Sequence, residues 1–131
     1  MYRLIQIFKP IAGYFLVLWI ILIILFSSLP RLPDVNIKTD NFNLRVDYII
    51  HLLEYGSLAF FTILTFAPSE VKLNARRVVI IFIALMLFAM ADEFHQLLIP
   101  GRTFNPIDLV FNLLGLVGGI LFTVLLGRKK A

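Results

Sequence analysis

The chain has 131 residues, room for one domain, with 60% hydrophobic and 15% charged residues. Its mean hydropathy is +0.94, which excludes an ordinary soluble domain, because a chain this short cannot bury that much apolar surface. The formal net charge is +4, a value that reflects sidedness in a membrane protein, and the absence of cysteine excludes disulfide and thiol chemistry.

Four apolar stretches follow in order: residues 11–29, 48–67, 78–99 and 107–126. As helices they would be about 28–33 Å long, the thickness of a bilayer core. Lipid offers no hydrogen bonds to the backbone, so segments of this kind must be helices. The expectation is an all-α polytopic membrane protein, a single domain over residues 1–131 built as a four-helix bundle.

The first stretch is too long for the apolar core of a cleaved signal peptide, and Phe26-Ser27-Ser28 is a poor cleavage site. It reads as an uncleaved anchor helix without a polar face, an outer wall of the bundle. Pro30 and Pro33 end it, and the connection to Asp47 is the longest and mostly polar. The second stretch holds His51 and Glu54, and Pro68 ends it. The third holds Asp92, Glu93, His95 and Gln96 and stops at Pro100-Gly101. Asn105-Pro106 with Asp108 opens the fourth, placing an acid at the positive end of a helix.

Orientation follows from the bases. Arg3, Lys9, Lys72, Arg76, Arg77, Arg128, Lys129 and Lys130 fall on one side, and Arg31, Lys38, Arg45 and Arg102 on the other. The excess side is cytoplasmic and carries both termini. Seven of the eight acids then lie on the outer side, with Glu70 alone inside.

Ionisable groups within spans cost about 2.5–3.5 kcal/mol each on insertion scales, so they mark function by default. At about 100° per residue, Asp47, His51, Glu54 and Tyr55, with Leu58 and Thr62, share one arc of the second helix. Asp92, Glu93, His95 and Gln96 share a broader arc of the third. Asp108, Asn112, Gly115 and Gly119 form one line on the fourth, where glycines permit close helix packing. These three faces are expected to turn together, with Arg102 brought over them by the third loop. Each residue also has a purely structural reading. Asp108 could only complement a helix start, Gln96 and Asn112 could be interhelical glue, and Thr62 could bond its own helix. Arg102 could be an interfacial anchor or the counter-ion of Asp92 or Glu93. Four acids in one buried cluster exceed what packing needs and repel one another unless a cation matches them.

At these residues the chain resembles the VanZ-like family. The resemblance rests on Ser27-Ser28-Leu29-Pro30, Asp47 with His51 and Tyr55, and Asp92-Glu93-Phe94-His95-Gln96. It continues through Pro100-Gly101-Arg102 and then Asp108, Asn112 and Gly115, and so runs from about Ser27 to Gly119. Tyr48 departs from the family pattern, which often has lysine beside the aspartate, so no cation is assigned there. The resemblance implies a small bacterial inner-membrane protein with four helices. The family's namesake is linked to low-level resistance to teicoplanin, a lipoglycopeptide.

Two functions from different classes fit. One is a binding or accessory protein of the cell envelope. Its acids would take the amines or hydroxyls of an amphiphile, and Arg102 a phosphate or carboxylate. The ligand would be a membrane lipid, a lipid-linked wall precursor or a lipoglycopeptide. The other is a metal-assisted enzyme acting on a lipid head group, with His51, Glu54 and Glu93 as candidate ligands because His51 and Glu54 at i, i+3 can share an ion. Asp92 and Glu93 are adjacent and would not point to one spot. No hydrolase or metalloprotease motif is present, and no motif calls for a cofactor. A transporter ranks last, since nothing polar continues the path on the third span before Asp92. Nucleic acid is disfavoured because the bases flank membrane ends, and the sequence sets no oligomeric state.

Overall fold

The computed structural model describes residues 2–30, 36–39, 42–66 and 74–127. The expectations for the rest of the first loop, for Pro68 and for the tail bases Arg128, Lys129 and Lys130 lie outside them. The bundle is helical: α1 (Tyr2–Ser27), α2 (Val46–Phe66), α3 (Ala75–Gln96) and α4 (Pro106–Gly127). All four are long and apolar enough to cross a membrane, over Ile7–Ser27, Val46–Phe66, Ala75–Gln96 and Pro106–Leu126. The spans therefore stand where hydrophobicity placed them, with ends shifted by a few residues. The largest shift is in α1, which begins before Lys9 and carries Pro10 in its interior. Proline is accommodated in spanning helices where other groups take up the freed carbonyl.

One element differs in kind from the expected loop. Strands β1 (Asn36–Thr39) and β2 (Phe42–Arg45) form an antiparallel hairpin in which Thr39 pairs with Phe42 and Asn36 with Arg45. Its signal was present in the sequence: polar and apolar residues alternate through 42–45, and a two-residue Asp40-Asn41 connection separates the strands. β2 runs directly into α2, so the hairpin fixes the start of that helix.

The surface is apolar and part of the interior is polar. Tyr14, Leu53, Leu87 and Leu125 are exposed, as in a bundle surrounded by lipid chains, while Glu93 and Asn112 are wholly buried. The apolar core joins Leu16 and Ile23 of α1, Tyr55, Leu58, Ala59 and Ile63 of α2, Leu85 and Ala89 of α3, and Leu116 and Ile120 of α4. On α1, Trp19 donates from Nε1 to the Glu54 carbonyl at 2.9 Å, and Phe15 stacks on Phe61 at 5.7 Å between ring centroids.

The closest packing is between α2 and α4. A Cβ on Gly115 would collide with the Leu52 carbonyl oxygen, and one on Gly119 with the Gly56 carbonyl oxygen. Backbone thus meets backbone along this seam, with no side chain between. Gly118 faces open space by the same measure.

This contrast yields a stability test. Gly119→Ala overpacks the seam and costs about 1–3 kcal/mol, read as a lower Tm in detergent, whereas Gly118→Ala leaves Tm unchanged. Equal melting of the two variants would contradict the backbone contact.

Candidate functional site

The seam positions the polar groups one turn away. Because α2 and α4 approach so closely, the short Asn112 side chain reaches His51, with Oδ1 3.0 Å from Nδ1. Asn112 Nδ2 points the other way and donates to Glu93 Oε1 of α3 at 3.4 Å. A carboxylate only accepts, so this bond sets which end of the amide faces His51. Asn112 Oδ1 accepts from His51, so His51 carries a proton on Nδ1 and turns Nε2 away. His51 Nε2 faces Asp108 Oδ2 at 3.8 Å, too far for a hydrogen bond.

Asp108 lies in the first turn of α4 and is held there by Asn105. Oδ1 accepts from Asn105 Nδ2 at 2.9 Å, while Asn105 Oδ1 caps the start of α4 through the Ile107 N–H at 3.1 Å. Oδ2 is left facing His51. Asn105 is a site residue that the sequence reading treated only as punctuation.

The adjacent acids of α3 diverge, as their spacing requires. Glu93 turns toward Asn112, and Asp92 turns toward α2. Asp92 Oδ2 accepts from the Tyr55 hydroxyl at 3.1 Å and from Gln96 Nε2 at 3.3 Å. Gln96 Oε1 in turn accepts from Arg102 Nη1 at 2.9 Å. Among the described residues Thr62 bonds only the Leu58 carbonyl of its own helix.

Arg102 is tied to the end of α1. Among the described residues it pairs directly with neither Asp92 nor Glu93. It donates from Nε to the Leu29 carbonyl and from Nη2 to the Phe26 carbonyl, each at 3.0 Å. These carbonyls lie at the C-terminal end of α1, where the partial charge is negative, and the Phe26 carbonyl also accepts from the Leu29 N–H at 3.2 Å. The Pro-Gly-Arg sequence explains the aim. Gly101 has φ of 80°, and the Arg102 N–H bonds the Ile99 carbonyl at 3.1 Å. Proline second, glycine third and a 1→4 bond make a type II turn, which directs Arg102 back to α1.

The first helix is consequently more than a wall. Ser28 Oγ donates to the Ile24 carbonyl at 2.6 Å and lies 3.0 Å from His95 Nε2, so His95 is drawn to α1. Phe26, Ser27, Leu29 and Pro30 line a cavity of about 280 Å³, whose other walls include Ile50, His51, Glu54, Asp92, Gln96, Arg102 and Asp108. Asp47, at the start of α2, also lines it and pairs with Arg45 at 2.6 Å. Arg45 stands 5.4 Å over the Tyr48 ring, which stacks on Phe111. A cation therefore sits beside position 48, supplied by Arg45 rather than by residue 48 itself.

Glu54 lines the cavity partly buried, and among the described residues its carboxylate has no hydrogen-bond partner. It does not join the metal-ligand grouping expected of it with His51 and Glu93. The group that converges is His51, Glu93 and Asp108, whose ligand atoms lie within 4.8 Å of one another. Glu54 lines the cavity together with His51, Asp92 and Asp108. Gly115 and Gly119 lie in the seam between α2 and α4.

The bridge through Asn112 is testable. Asn112→Leu keeps the volume but strands His51 Nδ1 and Glu93. The cost is about 1–3 kcal/mol for each buried group left unpaired, measured by denaturant unfolding in detergent. Thr62→Val, which removes a bond within one helix, changes stability far less. An Asn112→Leu protein as stable as wild type would contradict the bridge.

No curated protein and no solved structure is significantly similar to the chain. The VanZ/LLP1 family model matches residues 12–127, a stretch that includes every site residue named above. The chain is a multi-pass membrane protein of four spanning helices, and it belongs to the VanZ/LLP1 family.

Proposed function

We propose that the protein binds the polar head of an amphiphile in the cavity between α1, α2, α3 and α4. The observation that carries this reading is the division of the cavity wall. His51, Glu54, Asp92 and Asp108 form polar ground, while Phe26, Leu29 and Ile50 line the same cavity and are exposed to the surroundings of the bundle. A ligand with a polar head and an apolar body meets both surfaces at once. The volume suits a head group and not a whole lipid.

Recognition falls mainly to acceptors. The open Glu54 carboxylate takes an amine or hydroxyl. Arg102 spends three of its donors on Gln96 and on α1, so it holds the wall in place and has only its remaining N–H groups for a phosphate or carboxylate. The ligand classes that fit are a membrane lipid, a lipid-linked wall precursor or a lipoglycopeptide such as teicoplanin, in a bacterial cell envelope.

The sidedness of the bases sets the orientation in this reading. Both termini lie in the cytoplasm, the protein resides in the inner membrane, and the cavity opens toward the outer face. The natural lack of cysteine makes this accessible to labelling. In intact cells, Thr103→Cys reacts with a membrane-impermeant maleimide and Ala75→Cys does not; the reverse pattern would overturn the orientation.

The binding itself is read by native mass spectrometry of the purified protein. Wild type carries an amphiphile mass, and Glu54→Gln reduces its occupancy about tenfold, the effect of about 1.4 kcal/mol from one charge-assisted hydrogen bond. Wild-type protein that carries no amphiphile and takes up none from added lipid or teicoplanin would overturn the reading.

A further inference from the structure

We propose that His51, Glu93 and Asp108 form a site for one divalent transition-metal ion at the floor of the cavity. This goes beyond amphiphile binding and does not rest on it.

Three independent features of the group point to a cation. The first is convergence: an imidazole nitrogen and two carboxylate oxygens, from three different helices, lie within 4.8 Å of one another. The separation of 3.8 Å between His51 Nε2 and Asp108 Oδ2 is too long for a hydrogen bond but suits two ligands of one ion. Ligands each about 2.1 Å from a metal stand about 3.4 Å apart at the tetrahedral angle and about 4.2 Å apart when opposed.

The second feature is an orphaned atom. Glu93 is 0% exposed, and its Oε2 has no close hydrogen-bond partner among the described residues, the Asn105 backbone lying near the carboxylate without meeting hydrogen-bond geometry. A buried carboxylate oxygen without a donor costs free energy that a cation would recover.

The third is the outer layer of hydrogen bonds. Each of the three residues is held by an amide: Asn112 Oδ1 accepts from His51 Nδ1, Asn112 Nδ2 donates to Glu93 Oε1, and Asn105 Nδ2 donates to Asp108 Oδ1. The first fixes the histidine tautomer with Nε2 as the free lone pair. Outer-layer partners of this kind orient metal ligands and set ring tautomers in metalloproteins.

The donor set selects the ion. One imidazole with two carboxylates suits Zn²⁺ or Mn²⁺ better than Ca²⁺, which prefers six or more oxygens. His51 and Asp108 line the cavity while Glu93 lies behind them, so the open coordination positions face the space available to a ligand. Bound there, the ion would hold a phosphate, carboxylate or water oxygen.

The test uses the full-length protein in detergent, stripped with a chelator and titrated with zinc alone, with no amphiphile added. Failure of this inference is thereby separate from failure of the amphiphile reading. Wild type retains one zinc per chain after gel filtration, measured by inductively coupled plasma mass spectrometry. Glu93→Gln and Asp108→Asn each weaken retention at least tenfold. Asp92→Asn, which removes a nearby acid outside the trio, keeps it. Helical circular dichroism and a single gel-filtration peak confirm that the variants are folded. The wild-type titration decides even if a variant fails to fold: no stoichiometric zinc overturns the site. Equal loss in Asp92→Asn also overturns it, because that result means diffuse attraction by acids.

Discussion

The backbone contact between α2 and α4 is the constraint on which the rest depends. Gly115 and Gly119 press against the carbonyls of Leu52 and Gly56, a separation that any side chain would widen. One turn along, that closeness lets an asparagine span the gap to a histidine. Asn112 then connects three helices, since it holds His51 on α2 and Glu93 on α3 from its place on α4. Apolar packing in lipid has little hydrophobic drive between helices. Close van der Waals approach and polar bonds therefore carry the assembly, and both meet at this seam.

The second tie runs from the other end of the cluster. The chain Tyr55–Asp92–Gln96–Arg102 crosses from α2 through α3 to the third loop, and Arg102 closes it onto the last carbonyls of α1. An arginine suits this place because one planar guanidinium can serve three acceptors in different directions, which a lysine ammonium does less well. The two ties leave the cavity between them. Glu54, His51, Asp92 and Asp108 all line it, and Glu93 lies wholly buried next to His51 and Asp108. The ion proposed above would take Glu93 together with His51 and Asp108, two residues that also line the space proposed for the head group.

The four spans and the three polar faces were legible in the sequence because both follow from periodicity and from the high cost of charge in lipid. The pairing of residues was not. His51 and Glu54 share a helical face, which made them natural co-ligands on one helix, but the partner of a buried group is set by the neighbouring helix. Glycine spacing on α4 announces close packing without saying which helix approaches, and the answer, α2, places His51 against Asn112 and Asp108. For Arg102 the sequence leaves an interfacial anchor and a counter-ion of Asp92 or Glu93 both open, because charge alone does not say which acceptor it meets. The carbonyls that it bonds are of a kind found at every helix end and leave no mark in a sequence. The Pro100-Gly101 pair held the missing information, since a type II turn sends the chain back over the bundle. Ser28 and Asn105 were visible as boundary residues, yet their contacts with His95 and Asp108 depend on where the boundaries meet in space.

The central claim is that this cavity selects a polar head group from the membrane. Photo-crosslinking in native membranes tests it most directly. A photoreactive residue at Ile50, on the cavity rim, is compared with one at Leu87, exposed on the outer surface of α3. The account predicts that Ile50 captures one head-group class enriched over bulk lipid, while Leu87 captures lipids in their bulk proportions. The same bulk composition at both positions would contradict it.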